Sequence, residues 1–143
     1  MAIDPAVHAT VAALVGGSKA SSLESEVLDF KQEGGSQREV ERLIADAAIC
    51  VANGQGGIII VGVDDKAAGP EAFVGTTLEP SHVKRRVFDL TRPSLLVDVE
   101  RIDAGGVTLL QVSVPESPDV HSDTKGRTAR RVGTDCLPMD ARR

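Results

Sequence analysis

The sequence is poor in aromatic residues: its 143 residues include three Phe and neither Tyr nor Trp. Aromatic rings are the usual platforms on which proteins stack unpaired nucleic-acid bases, so their scarcity argues against a binding site built on such platforms. The chain also lacks any stretch near the about 20 consecutive apolar residues that a transmembrane helix needs. Asp4 stands where a secretory signal would carry basic residues. We therefore expect a soluble, cytoplasmic protein with no role in a membrane.

Cysteine and histidine are also scarce. Cys50 and Cys136 show no spacing typical of a metal site. Cys50 falls in the apolar stretch of a predicted helix, so we expect a buried structural thiol, and both cysteines are compatible with a reducing cytosol. His8, His82 and His121 are scattered, with no Ser or Cys motif beside them, which argues against hydrolysis by an activated nucleophile. His121 lies in a polar loop and is predicted to be exposed.

The charge of the chain is distributed unevenly. The hydrophobic content of 41%, the charged content of 26% and the length are typical of one soluble globular domain. The net charge is −5, with 5 Lys/Arg against 12 Asp/Glu in residues 1–80, and 6 against 3 in residues 121–143. This asymmetry is compatible with an acidic pocket beside a basic face, and equally with a surface whose charge is merely uneven.

The 14 glycines include a group that separates a predicted helix from an apolar strand, in "ANGQGGIIIVGVDDK" at 52–66. Phosphate-binding loops run in the order strand, glycines, helix, so that free N–H groups at the helix N-terminus face the anion. Here the order is reversed, and no G-x-x-x-x-G-K-[ST] motif occurs. The glycines therefore indicate a tight turn and a close approach of helix and strand backbones rather than a nucleotide site.

The residue patterns predict an α+β fold, a single compact domain in which two main helices pack on a mixed β-sheet. Ser36 and Glu39 form a capping box before a helix that ends with a left-handed turn at Asn53-Gly54. The wholly apolar strand that follows should be covered on both faces. The other predicted elements are a helix at 5–15 followed by a flexible joint, strands at 24–32, 95–102, 107–114 and 127–133, and a second main helix at 80–90.

Five segments in order resemble the Schlafen-type AlbA_2 domain: "ESEVLDFK" (24–31), "IADAAICVANGQGGIIIVGVDD" (44–65), "FVG" (73–75), "LLQVSVPES" (109–117) and "GRTARRVGTD" (126–135). The resemblance covers residues 23–136. It leaves residues 1–22 as an N-terminal helix and joint, and 137–143 as a basic tail that suggests a module cut from a longer protein. Two positions depart from the family pattern: Asp29 stands where Glu is usual, and Ala129 where an aromatic residue is usual.

The resemblance implies a nucleic-acid-binding domain, the N-terminal module of a bacterial transcriptional regulator. DNA is favoured over RNA, and help from dimerisation is expected because a chain of net charge −5 should bind weakly. Lysine and arginine hold phosphates by charge, and the candidate residues are Lys84, Arg85, Arg86, Lys125, Arg127, Arg130 and Arg131. The alternative for these residues is a solvated face, or pairing with the many acids of the domain.

The resemblance also implies a second hypothesis, a metal-dependent endoribonuclease. Glu24 and Asp29 match two of the three acidic residues of an RNA-cleaving branch, and Asp64 or Asp65 matches the third. Glu24, Asp29 and Asp64 would hold Mg²⁺ or Mn²⁺, while Lys31 would neutralise a phosphate.

These acidic residues have a plainer interpretation as well. Glu24 and Asp29 are five residues apart, so a regular strand would put them on opposite faces, and convergence needs a bend near residues 25–28. Asp64-Asp65 is also common turn chemistry. We expect binding rather than catalysis. A third hypothesis is a non-catalytic dimerisation or sensing module.

Overall fold

The computed structural model describes residues 5–104 and 106–139. The helices are α1 (Pro5–Val15), α2 (Gln37–Asn53) and α3 (Pro80–Asp89). The strands are β1 (Leu28–Lys31), β2 (Gly57–Val61), β3 (Thr91–Arg92), β4 (Asp98–Ala104), β5 (Val107–Val114), β6 (Ser122–Asp123), β7 (Ala129–Val132) and β8 (Asp135–Pro138). Residues 140–143 of the predicted basic tail lie outside the described residues.

The main sheet has four strands in the order β1-β2-β5-β4. Strands β1 and β2 are parallel, whereas β5 is antiparallel to both of its neighbours, so the predicted mixed sheet is confirmed. The hairpin expected between residues 95 and 114 is the β4–β5 pair. Two further pairs, β3–β6 and β7–β8, form small separate sheets.

Both faces of the main sheet are covered, as the apolar sequence of β2 predicts. Ile59 and Val61 point into a core that α2 and α3 close. Ile60, between them, points into a second core that includes Val7 and Leu14 of α1. The domain is therefore three layers with two helices on one face, and the expected α+β fold is confirmed.

Helix α2 begins as its sequence indicates. The Oγ atom of Ser36 accepts a hydrogen bond from the backbone N–H of Glu39 at 3.2 Å, which satisfies one of the free donors of the first turn. The second contact of the pair differs from a full capping box, because the Ser36 hydroxyl itself donates to the Glu39 carboxylate at 3.1 Å. Val40, Ile44 and Ala48 form the buried stripe that fastens α2 to the sheet.

The end of α2 corrects one expectation. Gly54 has φ −88° and is not left-handed, while Gly56 has φ +76°. A Cβ on Gly56 would lie 2.5 Å from the backbone nitrogen of Glu116, and one on Gly57 would overlap the carbonyl of Val27. The predicted close approach is therefore real, but it brings the start of β2 against the chain before β1 and after β5 rather than against α2.

The two cysteines correct another expectation. Cys50 of α2 and Cys136 of β8 form a disulfide, with Cα atoms 5.8 Å apart, so neither is a free thiol. Their separation of 86 positions along the chain conceals the proximity, which arises only because the β7–β8 hairpin folds back over α2. Of the helices described, none has both the length and the apolar character needed to cross a membrane.

Candidate functional site

A tight turn brings Glu24 and Asp29 together at the start of β1. The backbone N–H of Ser25 donates to the carbonyl of Leu28 at 2.9 Å, and this turn reverses the chain between the two acids. The Glu24 carboxylate then accepts the backbone N–H of Phe30 at 3.0 Å, one residue beyond Asp29. The bend that convergence requires is therefore present, and the two carboxyl groups share a hydrogen bond.

This proximity changes the acidity of Glu24. Burial raises the pKa of its carboxyl to about 7, helped by the hydrogen bond to Asp29 and by the negative charges of Asp29 and Asp65. The N–H of Phe30 opposes the rise. A carboxyl with a pKa of about 7 keeps its proton in a substantial fraction of molecules at neutral pH, so Glu24 carries less than a full negative charge there.

Two cations neutralise Asp29, which is itself 4% exposed. The Lys31 ammonium lies 3.2 Å from one oxygen and the Arg131 guanidinium 3.5 Å from the other. Arg131 also donates to the carbonyls of Ser25 and Leu28 at 2.9–3.1 Å, and its side chain is 3% exposed. Arg131 therefore holds the turn and the buried acid from inside, and in this position it does not reach an external phosphate.

Asp64 follows the plainer interpretation, that of a turn residue. Its carboxylate accepts the backbone N–H of Lys66 at 2.9 Å, and its own N–H donates to Ala72 at 2.9 Å. Asp65 stays close enough to Glu24 to act on it by charge. The apolar strand β2 thus delivers one of its two following aspartates toward the carboxyl pair.

Within the described residues, the three predicted metal ligands Glu24, Asp29 and Asp64 are not grouped around one point. Mg²⁺ and Mn²⁺ take several ionised oxygen ligands. Within residues 5–104 and 106–139, no three Asp, Glu, His or Cys side chains are placed to hold one ion. Asp29 is paired with two cations, and the Asp64 carboxylate accepts a hydrogen bond within its own turn.

The basic residues of α3 are engaged in different degrees. Lys84 lies 4.0 Å from Asp98, and Arg85 pairs with Asp89 one turn later, both at the surface. Arg86 donates to the buried carboxylate of Glu41 on α2 at 3.1 Å. His82 shares that carboxylate at 2.6 Å, so Glu41 joins α2 to α3.

The basic residues near β7 also divide. Lys125 and Arg130 are exposed, and neither side chain makes an ion pair with another described residue. Arg127 is exposed but pairs with Asp123 at 2.8 Å. Burial opposes ionisation of Asp123, yet hydrogen bonds from Arg127 and from the N–H of Lys125 hold the pKa of its carboxyl below the ordinary value.

A cavity of about 340 Å³, which we call the basic cleft, collects positive charge from three elements. Its five cationic and two anionic residues give a net charge of +3; they are Arg38, Arg42, Arg86, Lys125 and Arg127, with Glu39 and Asp123. Of the seven basic residues predicted from the sequence, Arg86, Lys125 and Arg127 line it. Lys84, Arg85, Arg130 and Arg131 do not.

Arg38 and Arg42 were missed as candidates. They lie one turn apart on the exposed side of α2, and neither makes a hydrogen bond or ion pair with another described residue. The signal was available, because both lie off the apolar stripe at a spacing that places side chains on one helix face. What the sequence could not show is that the loop carrying Lys125 and Arg127 faces that side of α2.

Asn53 holds this loop in place. Its amide donates to the carbonyls of His121 and Ala129 and to the Thr128 hydroxyl, each at 2.9 Å, and accepts the N–H of His121 at 2.8 Å. The expected exposure of His121 is wrong, since the residue is 4% exposed. Its ring bonds the carbonyl of Pro93 at 2.7 Å and the Ser117 hydroxyl at 2.8 Å.

Comparison with solved structures places the domain among known folds. The crystal structure of the DIP2311 protein from Corynebacterium diphtheriae is similar, with a TM-score of 0.77, 27% identity, and coverage of 94% of this chain and 26% of that one. The chain thus spans about a quarter of that protein. The N-terminal domain of a RecG-related protein from Nitrosomonas europaea has the same fold, with a TM-score of 0.55, 20% identity, and coverage of 97% and 92%.

No curated protein matches the sequence. The model of one protein family does, over residues 24–140, and it is described as Schlafen, AlbA_2. That match includes the carboxyl pair, the glycine turn before β2 and the loop that carries Lys125 and Arg127. The chain therefore belongs to the Schlafen AlbA_2 family.

Proposed function

We propose that this domain binds nucleic acid, and that the basic cleft is where the phosphate backbone lies. One observation carries the proposal: five cationic side chains from α2, α3 and the β6–β7 loop converge on one concave surface of net charge +3, although the whole chain has a net charge of −5. A concentration of positive charge on a negative protein attracts an anionic polymer to that surface. Membership of the AlbA_2 family supports this function.

The residues of the cleft differ in what they can give to a phosphate. Arg38 and Lys125 make no ion pair with another described residue, and Arg42 interacts only by charge with Asp46 of its own helix, so these three are the strongest candidates for direct contacts. Arg127 can exchange Asp123 for a phosphate, because its side chain is 63% exposed. Arg86 forms an ion pair with Glu41, so it contributes mainly to the positive electrostatic potential of the cleft rather than a direct contact.

Duplex DNA is the partner that we favour over RNA. Phe30 and Phe73 are buried, which leaves Phe88 on α3 as the one exposed aromatic side chain among the described residues. A groove for single strands would stack successive bases on aromatic rings. Backbone contacts by arginine and lysine need no such platform.

The same considerations extend to the larger assembly. A single domain with a net charge of −5 should bind weakly, so a homodimer that presents two clefts would strengthen binding. We further propose that the domain is the N-terminal module of a bacterial transcriptional regulator. Its span of about a quarter of the similar Corynebacterium protein agrees with a module of a longer chain.

The proposal is tested by titrating a labelled duplex DNA with the protein and with two charge-matched variants. The cleft variant is Arg38→Gln/Arg42→Gln, and its control, Lys66→Gln/Arg101→Gln, removes two exposed cations that do not line the cleft. Loss of two phosphate contacts should weaken binding of the cleft variant at least about tenfold at low salt. The control should bind nearly as the parent does. Equal weakening of both variants would show that only overall charge matters.

A parallel arm separates binding from cleavage. Duplex DNA and structured RNA are each incubated with the protein in EDTA and in Mn²⁺. Metal-independent binding without product is the expected result. Cleavage that requires Mn²⁺ and disappears in Asp65→Asn would instead make the domain a nuclease.

A further inference from the structure

A second cavity of about 820 Å³ lies between α2 and the β7–β8 hairpin, and we call it the side cavity. It is continuous in its lining with the basic cleft, because Glu39, Arg42, Asp123 and Arg127 line both. Its volume is within the about 300–1,000 Å³ typical of ligand-binding cavities. A ligand that occupied both spaces would therefore pass these four side chains.

The inner surface of the side cavity is largely apolar. Leu43, Ala47 and Ile49 of α2 face Pro138 and Met139 across the space. Leu43 is 49% exposed, so the protein leaves this large apolar side chain half in water. Such a surface favours a flat apolar body, and the thioether of Met139 is well suited to an aromatic ring.

The charges of the side cavity balance, in contrast to those of the cleft. Lys31, Arg42 and Arg127 are offset by Glu39, Asp46 and Asp123. The Asp46 carboxylate accepts no hydrogen bond from another described residue, which leaves it free to pair with a donor on a ligand. Burial raises the pKa of this carboxyl, and the nearby arginines only partly oppose the rise. The cavity therefore suits an uncharged group with hydrogen-bonding edges, while the adjoining cleft suits an anion.

We propose that the side cavity receives the base of one unpaired nucleotide whose phosphate lies in the basic cleft. A nucleotide combines both kinds of group, because an uncharged planar base with hydrogen-bond donors and acceptors on its edges is joined to an anionic phosphate. The inference rests on the proposed function and names its substrate class, a duplex that carries one unpaired nucleotide. It needs no aromatic ladder, because a single base can pack against the apolar side chains of Leu43 and Met139.

The test compares two DNA hairpins that differ by one extra, unpaired thymidine in the stem. Affinity is measured by fluorescence anisotropy for the parent protein, Leu43→Glu and Leu96→Glu. Leu96 is 64% exposed and lines neither cavity, so its substitution is a matched control. The parent should bind the bulged hairpin at least about fivefold more tightly. Leu43→Glu should bind both hairpins alike, and Leu96→Glu should keep the preference.

The single variant Arg38→Gln separates this proposal from the function on which it rests, because Arg38 lines the basic cleft but not the side cavity. It should weaken binding of both hairpins and leave the ratio of their affinities unchanged. Equal affinity of the parent for both hairpins, or a preference that survives in Leu43→Glu, would overturn the proposal.

If neither hairpin binds, the proposed function fails. Titration with thymidine monophosphate then tests separately whether the side cavity binds a base. Shifts of the Leu43 and Met139 methyl NMR signals on its addition would support the base site with a free nucleotide as its source. Unshifted signals would overturn the base site.

Discussion

A substitution of Arg131 tests most clearly whether a basic residue near β7 stabilises the fold or binds nucleic acid. Its guanidinium lies 3.5 Å from the buried Asp29 and donates to two backbone carbonyls of the turn. Replacing it with Met keeps most of the packing volume but removes every one of those contacts. Breaking a buried ion pair costs about 3–5 kcal/mol, because the remaining charge stays buried. Lys31 still offsets Asp29, so we expect about 3 kcal/mol, at the lower end.

Urea unfolding of Arg131→Met, followed by far-UV circular dichroism, measures this loss. Arg130→Met is the matched control, since Arg130 is the exposed neighbour on the same strand and should cost less than about 0.5 kcal/mol. Adding Asp29→Asn to Arg131→Met should recover part of the loss by removing the uncompensated charge.

Two results would refute this account of Arg131. A loss below about 1 kcal/mol would mean that the buried pair is not a structural element of the turn. A folded Arg131→Met that binds duplex DNA several-fold more weakly than the parent, with Arg130→Met unaffected, would return Arg131 to the binding surface. For Arg131→Met we expect unchanged affinity for duplex DNA below its unfolding temperature.

Three further predictions follow from the same contacts. The pKa of Glu24 is raised from 4.5 to about 7. Between those pH values the folded protein therefore holds a proton that the unfolded chain has lost, so the free energy of unfolding should fall as pH rises. Thermal melts from pH 4.5 to 8 measure this dependence, and Glu24→Gln should flatten it. Reduction of the Cys50–Cys136 disulfide, which closes a loop of 86 residues, should lower the free energy of unfolding by about 4–5 kcal/mol, and Cys136→Ser should lose a similar amount and no longer respond to dithiothreitol. Asn53→Ala should cost about 2 kcal/mol in urea unfolding, because His121, Thr128 and Ala129, which flank the loop that carries Lys125 and Arg127, lose their hydrogen bonds to its side chain. A loss under about 0.5 kcal/mol would contradict this role.

Local sequence patterns anticipated those elements whose determinants lie close together in the chain. Helix α2 is predicted by its apolar repeat and its serine cap, and strand β2 by its uninterrupted apolar run. Each of these signals lies within about 20 consecutive residues. The sequence shows that the chain must bend between Glu24 and Asp29 if the two carboxylates are to converge, but it does not show where the bend lies. A separation of five residues shows that convergence needs a turn, whereas the bond from Ser25 to Leu28 had to be seen.

The features that were missed or wrong depend on contacts between distant segments. Cys50 meets Cys136, and Asn53 meets His121, only because the chain after β5 folds back across α2. The prediction of a left-handed Gly54 is wrong for a related reason. The residue with a left-handed backbone is Gly56, which packs closely against residue 116. Arg131 looked like surface charge because nothing in its own segment shows that it reaches Asp29.

The salt dependence of DNA binding tests the central claim most directly, because it counts phosphate contacts. For duplex DNA the slope of log K against log salt is about −0.9 for each phosphate neutralised. If Arg38 and Arg42 each hold one, Arg38→Gln/Arg42→Gln should make the slope shallower by about 1.8, and Lys66→Gln/Arg101→Gln should leave it unchanged. Parallel slopes for the parent and the cleft variant would contradict the assignment of the basic cleft as the phosphate site.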